Sequence, residues 1–419
     1  MEKSNSYRKI SVCRLCESKD LSSLINLGRI PLGNNLQEKE NLAFEAESFP
    51  LEVNRCNRCN HFQLSIAVDP KKLYKTNYTY LSRIGRSFVD HLNKYAEWAY
   101  KKFSLNDNSL VIDIGSNDGT CLKQFKNLGC KVVGIDPATK PAKLAIKEGI
   151  PTIIDFCNVN AVKEIIKRYG KADLITSHNA LAHIDNFDYV FKNIFDLLKN
   201  DGYFIFEIGY FRNVLIKKCF DTIYHEHIDY HHANPLFKYM SSIGFQIIDF
   251  NTNEIQGGTL RITAKKTKDN IANNNVKKFL DNEKNSILYE NDFLNNWEYK
   301  VNLLMKDFGK KIKKFKSEGA KIAGYGAPTK SSLLLSLANL SKNEISFIFE
   351  DNELKVGKYL PKLAIPIISS EEFKDNHPDV IIIFAWNFYN EIVKSIKKRV
   401  SKPVSCIVPL PEIKVIEIE

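Results

Sequence analysis

"SLVIDIGSNDGT", residues 109 to 120, decides the fold. Leu110, Val111, Ile112 and Ile114 form a short apolar run rich in β-branched residues, and the glycine-bearing turn behind it opens a helical segment, the signature of a βα unit. Gly115 and Gly119 let the backbone turn tightly and come close to a ligand, and Asp113 puts a carboxylate inside the strand where it can anchor a cation. Working outward, the same alternation recurs in "KVVGID" (131–136), "TIIDF" (152–156), "ADLITSHNA" (172–180) and "GYFIFEIG" (202–209), with helical segments between them. The pattern predicts a parallel sheet with helices on both faces, its ligand beyond the carboxyl ends of the strands.

A second set of units begins at "KIAGYG" (321–326) and continues through the helix "KSSLLLSLANL" and the strands "ISFIFED", "DVIIIFAW" and "VSCIVPL". The C-terminal third is therefore a second, smaller α/β domain of Rossmann-like type. A mostly polar helical stretch at about 280–317 leads into it, and Ile84, Phe88, Leu92, Tyr95 and Ala99 mark an amphipathic helix over 84–103 that leads into the first sheet.

At 419 residues, with 44% apolar and 26% charged side chains, the chain is long enough for several globular domains. We divide it at 1–75, 76–280 and 281–419. No apolar run is long enough to span a bilayer, and "MEKSNSYRKI" lacks the core of a signal peptide, so the expectation is a cytoplasmic protein without a membrane partner. The net charge of +11 comes from scattered lysines, as in "GKKIKKFK", which reads as a solvated helix face and not as a nucleic-acid surface.

Of nine cysteines, Cys121, Cys130, Cys157, Cys219 and Cys406 stand alone and read as buried small apolar residues. The other four form two C-x-x-C knuckles, Cys13/Cys16 and Cys56/Cys59. Four thiolates suit tetrahedral Zn²⁺, and a closed Cys₄ set leaves no open position, so this zinc is structural.

The turn 113–119 lacks the G-x-G-x-x-G of dinucleotide folds and resembles the D-x-G motif of class I methyltransferases, which hold S-adenosylmethionine (SAM). On that reading Asp113, Gly115, Asn117, Asp118 and Gly119 line the cofactor, and Asp136 meets the ribose hydroxyls. Asp155 and Phe156 serve the adenine, and Asn179 the amino-acid portion. His183 faces the substrate side. A nicotinamide cofactor is the main competitor.

"DTIYHEHIDYHH" (221–232) holds four of the nine histidines. His227 and His231 stand one helical turn apart, but the run is not the H-E-x-x-H of a zinc protease, so a proton-transfer group is preferred to a second metal.

Taken together, "CRLC", "RCNRC", "YTYLS", "IGSNDGT", "ALAHIDN", "IYHEH", "QGGTLR", "GYGAPTKSSLLL" and "EDNELKVGKYLP" resemble, in order and almost end to end, the zinc-containing sugar C-methyltransferases that act on nucleotide-linked 4-keto-6-deoxysugars. The resemblance implies an N-terminal zinc-binding module, a central SAM domain and a C-terminal α/β domain that helps hold a dTDP- or GDP-linked sugar. It places Tyr224, Glu226 and His227 in the active site, with His183 and Tyr80 as companions and Tyr78 as the alternative tyrosine on the substrate. Gly326 and Lys330 at a helix start, with Arg261, are the candidate anion contacts. Two departures stand out: "IDYHHANPL", in which His231 and His232 are not part of the family pattern, and Arg83 where a serine is common.

The chemistry fits these residue types. A carbon nucleophile needs negative charge, and a 4-keto group allows it once the C3 proton is removed to give an enolate. That calls for a base, His227, and a donor to the oxygen, Tyr80 or His183, with Glu226 and Tyr224 orienting. An O- or N-methyltransferase on a nucleotide sugar is the nearest rival; a zinc-ribbon nucleic-acid binder and an NAD-dependent oxidoreductase stand further off. The oligomeric state is left open by the sequence, a monomer being one option.

Overall fold

The computed structural model describes residues 6–74, 80–267 and 272–418; Tyr78 lies outside them. The central sheet has seven strands in the spatial order Phe245–Asn253, Thr259–Lys266, Leu198–Gly209, Ala172–His178, Leu110–Ile114, Lys131–Ile135 and Thr152–Ile153. The last five run parallel, and Thr259–Lys266 is antiparallel to both of its neighbours. The chain order reverses beside Leu110–Ile114, so the turn 115–119 sits at the switch point where open α/β sheets bind ligands.

The C-terminal sheet repeats the plan. Ile367–Ser369, Ile345–Glu350, Ile322–Tyr325, Val380–Ile383 and Val404–Val408 are parallel, and Lys414–Ile418 closes the edge antiparallel. Its switch point lies between the turn after Tyr325 and the one after Ile383.

The N-terminal sheet is antiparallel: Leu21–Pro31, Ser48–Cys56 and Phe62–Leu64, then Asp229–Tyr230 from far down the chain. Asp229 and Tyr230, one residue past the "IYHEH" stretch, therefore complete a sheet belonging to the cysteine module. One apolar cluster runs through all three parts, and rings mark the seams: Phe62 lies 4.7 Å from Phe211, and Phe211 lies 6.4 Å from Trp297. Among the described residues no helix is long and apolar enough to cross a membrane.

Three local expectations need correction. The helix before the central sheet is Arg86–Lys102, so Ile84 falls in a 3-10 turn and is 62% exposed, while Phe88, Leu92, Tyr95 and Ala99 are buried. The long polar helix is broken into Asn274–Lys284, two short turns and Trp297–Ser317. The "TIIDF" strand pairs only at Thr152–Ile153, because the Asp155 carboxylate turns back to accept the Phe156 N–H at 2.8 Å and the Asn158 amide at 2.7 Å. The five isolated cysteines are all buried, as expected.

The unexplained His232 belongs to the scaffold. Its Nδ1 faces Glu283 at 3.0 Å and its Nε2 the Asn60 carbonyl at 2.8 Å. Glu283 also accepts from the Tyr210 hydroxyl and from the Ala233 and Asn234 N–H groups at 2.7–2.8 Å. Burial pushes this carboxyl up, but His232 and the surrounding donors outweigh it and hold it near 2. The unfolded chain thus binds more protons between that value and about 4.5, so this stabilisation is complete above pH 4.5 and is lost as pH falls toward 2. Glu283→Gln is expected to cost about 3–5 kcal/mol in urea denaturation near neutrality and to flatten that acid limb.

Candidate active site

The two cysteine knuckles close on one point. The Cys13 and Cys59 sulfurs are 3.5 Å apart, those of Cys16 and Cys56 3.6 Å, and all four lie within 4.8 Å of one another. Zn–S bonds of ~2.3 Å imply tetrahedron edges of about 3.8 Å, so the set fits zinc. It is the one group of three or more such ligands among the described residues. His227 and His231 do not converge on a second.

The cofactor turn has the shape its glycines suggest. Gly115 and Gly119 have φ of +73° and +75°, and a Cβ on Gly115 would stand 2.3 Å from that of Ala180. Asp113 is buried, and one of its carboxylate oxygens has no partner among the described residues; burial and the charge of Asp136 push its pKa well up. Asn179, at φ +54°, is held by its N–H on the Glu207 carbonyl at 2.8 Å and keeps a buried amide nitrogen without a partner among the described residues. A buried carboxylate that needs a cation and a buried amide that needs an acceptor suit the ammonium and carboxylate of SAM. Asp136 is pushed up to about 6 by burial, against two backbone N–H bonds from Ala138 and Asn117.

Gly115→Ala combines a left-handed backbone with a clash against a backbone-fixed methyl. It is expected to abolish thermal protection by SAM.

Other predicted cofactor residues face elsewhere. The Asn117 amide bonds the Ser82 N–H at 3.0 Å and the Tyr80 carbonyl at 3.2 Å, and Asp118 receives the Arg83 N–H and Nε at 3.1 and 2.9 Å. Together they pin the segment 80–83 over the turn, which gives the unusual Arg83 a fastening role, extended to Glu148 at 2.8 Å. Tyr80, 45% exposed, accepts from the Gln256 amide at 3.2 Å. Asp155 shapes its own loop, and Phe156 packs toward Leu32, Phe49 and Leu73 of the N-terminal module.

The loop after Ala172–His178 carries Asn179 on the cofactor side and His183 on the other. There the His183 ring lies 4.9 Å from that of His227, and the Ile228 N–H bonds the Ala182 carbonyl at 2.8 Å. His227 Nδ1 faces the Thr222 carbonyl at 2.8 Å, an obligate acceptor, so the proton sits on Nδ1 and Nε2 offers its lone pair to the Tyr224 hydroxyl at 2.8 Å. Burial lowers His227 to about 4, against the Thr222 bond, and, with help from His227, holds His183 well below its usual value. Both rings are neutral at neutral pH. Glu226 is buried and raised to about 7 by burial; Oε1 accepts from the Asn34 amide at 3.1 Å. His225 is tucked against the Phe49 and Pro50 carbonyls at 3.3 and 3.2 Å, and His231 packs between His61 and Phe187.

The zinc knuckles hold this loop in place. Arg14, between two cysteines, bonds both Asp229 oxygens at 2.9 and 3.1 Å and reaches the Ile184 and Asp185 carbonyls; His61 meets Asp229 at 2.9 Å. One guanidinium thus ties the His183 loop to the His227 loop. From the C-terminal domain, Lys330 bonds Asp221 and Asn387, each at 2.9 Å, with its ammonium 4.5 Å from the Trp386 ring. Gly326, at φ +79°, makes the turn before it. Arg261 stands apart from this group: it bonds Glu207 at 2.7 Å and stacks over Tyr95 and Trp98.

Asn34, Arg14, Asp221, Asp229 and Thr329 were not foreseen. Arg14 had a signal, a guanidinium inside a knuckle, but its partner is 215 residues away.

A family model for a zinc binding domain matches residues 13–74, one for a methyltransferase domain residues 83–249, and one for the C-methyltransferase C-terminal domain residues 254–411. Among solved structures, the magnesium protoporphyrin IX methyltransferase (ChlM) of Synechocystis PCC 6803 with bound SAM aligns at a TM-score of 0.33 and 15% identity, over 42% of this chain and 79% of that one. The 1,6-didemethyltoxoflavin-N1-methyltransferase of Burkholderia thailandensis aligns at 0.33 and 17%, over 42% and 78%. C-methyltransferase NovU of Streptomyces niveus is 32% identical over 413 residues, 98% of either chain. With three matches in order and that relative aligned end to end, the chain is a SAM-dependent methyltransferase and belongs to the C-methyltransferase family.

Proposed function

We propose that the enzyme methylates carbon, at C-3′, of a nucleotide-linked 4-keto-6-deoxysugar carried on dTDP or GDP, in the manner of the sugar C-methyltransferases it resembles. The observation that carries the reading is the Thr222–His227–Tyr224 arrangement, a neutral imidazole with its acceptor nitrogen aimed at a hydroxyl beside the cofactor loop. SAM, when bound, supplies the methyl group on a cationic sulfur.

His227 Nε2 takes the C3 proton, and the electron pair moves onto the ketone oxygen as the enolate forms. Tyr224 holds that lone pair until the sugar C–H replaces it, and its freed hydroxyl then donates to the oxyanion alongside Tyr80 and His183. A base whose conjugate acid lies near 4 is weak, but burial keeps it unprotonated and ready at every working pH. The turn at Gly326 and the Lys330 ammonium suit the diphosphate, Lys330 exchanging Asp221 for phosphate oxygens.

The test is incubation with SAM and a panel of nucleotide 4-ketosugars in ordinary and deuterated water. One added methyl on carbon, with C3 exchange in the absence of SAM, supports the proposal. An O- or N-methylated product without C3 exchange sinks it.

A further inference from the structure

The segment Leu32–Gln37 leaves the zinc-binding module and runs between the other two domains. Gln37 and Tyr359 exchange backbone bonds at 3.0 and 2.8 Å, and a Cβ on Gly33 would stand 2.0 Å from the Thr329 carbonyl oxygen, so the strip is pressed against the C-terminal domain. Asn34 lies in the middle of it and reaches both ways. Its amide nitrogen donates to Glu226 Oε1 at 3.1 Å, and its carbonyl oxygen accepts from the Thr329 hydroxyl at 2.7 Å. Glu226 belongs to the catalytic loop, and Thr329 stands next to Lys330 on the turn that would take the diphosphate. A single side chain thus joins three domains at the reaction cleft.

We infer that Asn34 is a positioning residue for the methyl transfer, holding the Glu226 carboxylate in the cleft while Thr329 fixes the orientation of its amide. The inference deepens the proposed function and rests on it for the substrate, though not for the contact itself. An amide has two faces, and only the nitrogen can serve an ionised carboxylate. The Thr329 hydroxyl, donating to the oxygen, selects that face. A shift of the nucleotide-binding turn would therefore be felt at Glu226 through two hydrogen bonds. The Tyr230 phenol faces this carboxyl, and Lys72 lines the small cavity that Glu226 shares with Leu32, Asn34, Asn35 and Leu73, its own ammonium resting 3.5 Å from Glu47; Tyr224 and His227 flank Glu226 in sequence. The Asn34 bond lowers the Glu226 pKa against burial, so its loss should raise the midpoint above about 7.

The experiment uses the full-length, zinc-loaded enzyme with Asn34→Ala, Thr329→Val and Thr329→Ser. Zinc content and SAM affinity should stay within about twofold of wild type, which separates positioning from unfolding. Turnover of the 4-ketosugar should fall about tenfold or more in N34A. It should fall less in T329V and return in T329S, which restores the hydroxyl. In protein labelled with ¹³C at the glutamate carboxyls, with the Glu226 signal identified from Glu226→Gln, the midpoint should rise in N34A. An unmoved midpoint together with unchanged turnover overturns the inference. Should wild type methylate no ketosugar, the substrate reading fails alone, and the titration still decides the role of Asn34.

Discussion

Replacing His227 with asparagine is expected to lower methyl transfer by about 10²–10⁴-fold while leaving SAM affinity intact. Asparagine keeps an N–H for the Thr222 carbonyl, so the loop retains its inner hydrogen bond and loses only the basic nitrogen. Deuterium exchange at C3 should drop in parallel, because removal of that proton precedes any bond to the methyl group. Tyr224→Phe should slow the reaction less, since it removes the hydroxyl that faces Nε2 but leaves the base. Retained C3 exchange in the asparagine variant would falsify the assignment of His227 as base.

Loss of zinc is expected to abolish turnover, although the ion lies outside the chemistry. A Cys₄ site contributes on the order of 10–16 kcal/mol of apparent binding free energy in small zinc peptides, so without it the knuckles open. Arg14 and His61 then release Asp229, two residues from His227, and Arg14 releases the loop that carries His183. The five parallel strands of the central sheet contain no residue of the knuckles. Stripping the metal with a strong chelator, or introducing Cys16→Ser, should therefore remove activity in proportion to zinc content. Excess SAM should not restore it, and re-added Zn²⁺ should restore it to the chelated wild type. Full turnover in zinc-free protein would show that the clamp is dispensable.

Both effects depend on contacts of different legibility. Most parallel strands of the two α/β sheets were readable because each is a local apolar run, and the glycines at 115 and 119 announced a turn that only they could make; the N-terminal sheet and the antiparallel strands Phe245–Asn253 and Thr259–Lys266 were not read. The cysteines were readable because C-x-x-C is a spacing, and spacing survives in one dimension. What could not be read is which polar side chains meet after folding. Glu226 finds Asn34 from a distance of 192 residues, and Asp118 turns to Arg83, 35 residues before it, although its place in the motif suggested a cofactor contact. His231 and His232 looked chemical because histidine is rare and titratable. One packs between aromatic rings, and the other joins a hydrogen-bonded hub, roles that depend on the burial of their neighbours.

The pairing of Asp229–Tyr230 with Phe62–Gln63 also bears on how the chain is made. The N-terminal sheet lacks its last strand until the ribosome has added roughly 170 further residues, on the order of 10–30 s at ordinary elongation rates. During that interval the Phe62 edge is open, and the first part of the molecule to emerge is finished only after more than half of the chain has been made. The step that closes this edge also sets His227 beside the His183 loop, so a nascent chain can assemble the proposed site only after synthesis has passed the middle of the chain.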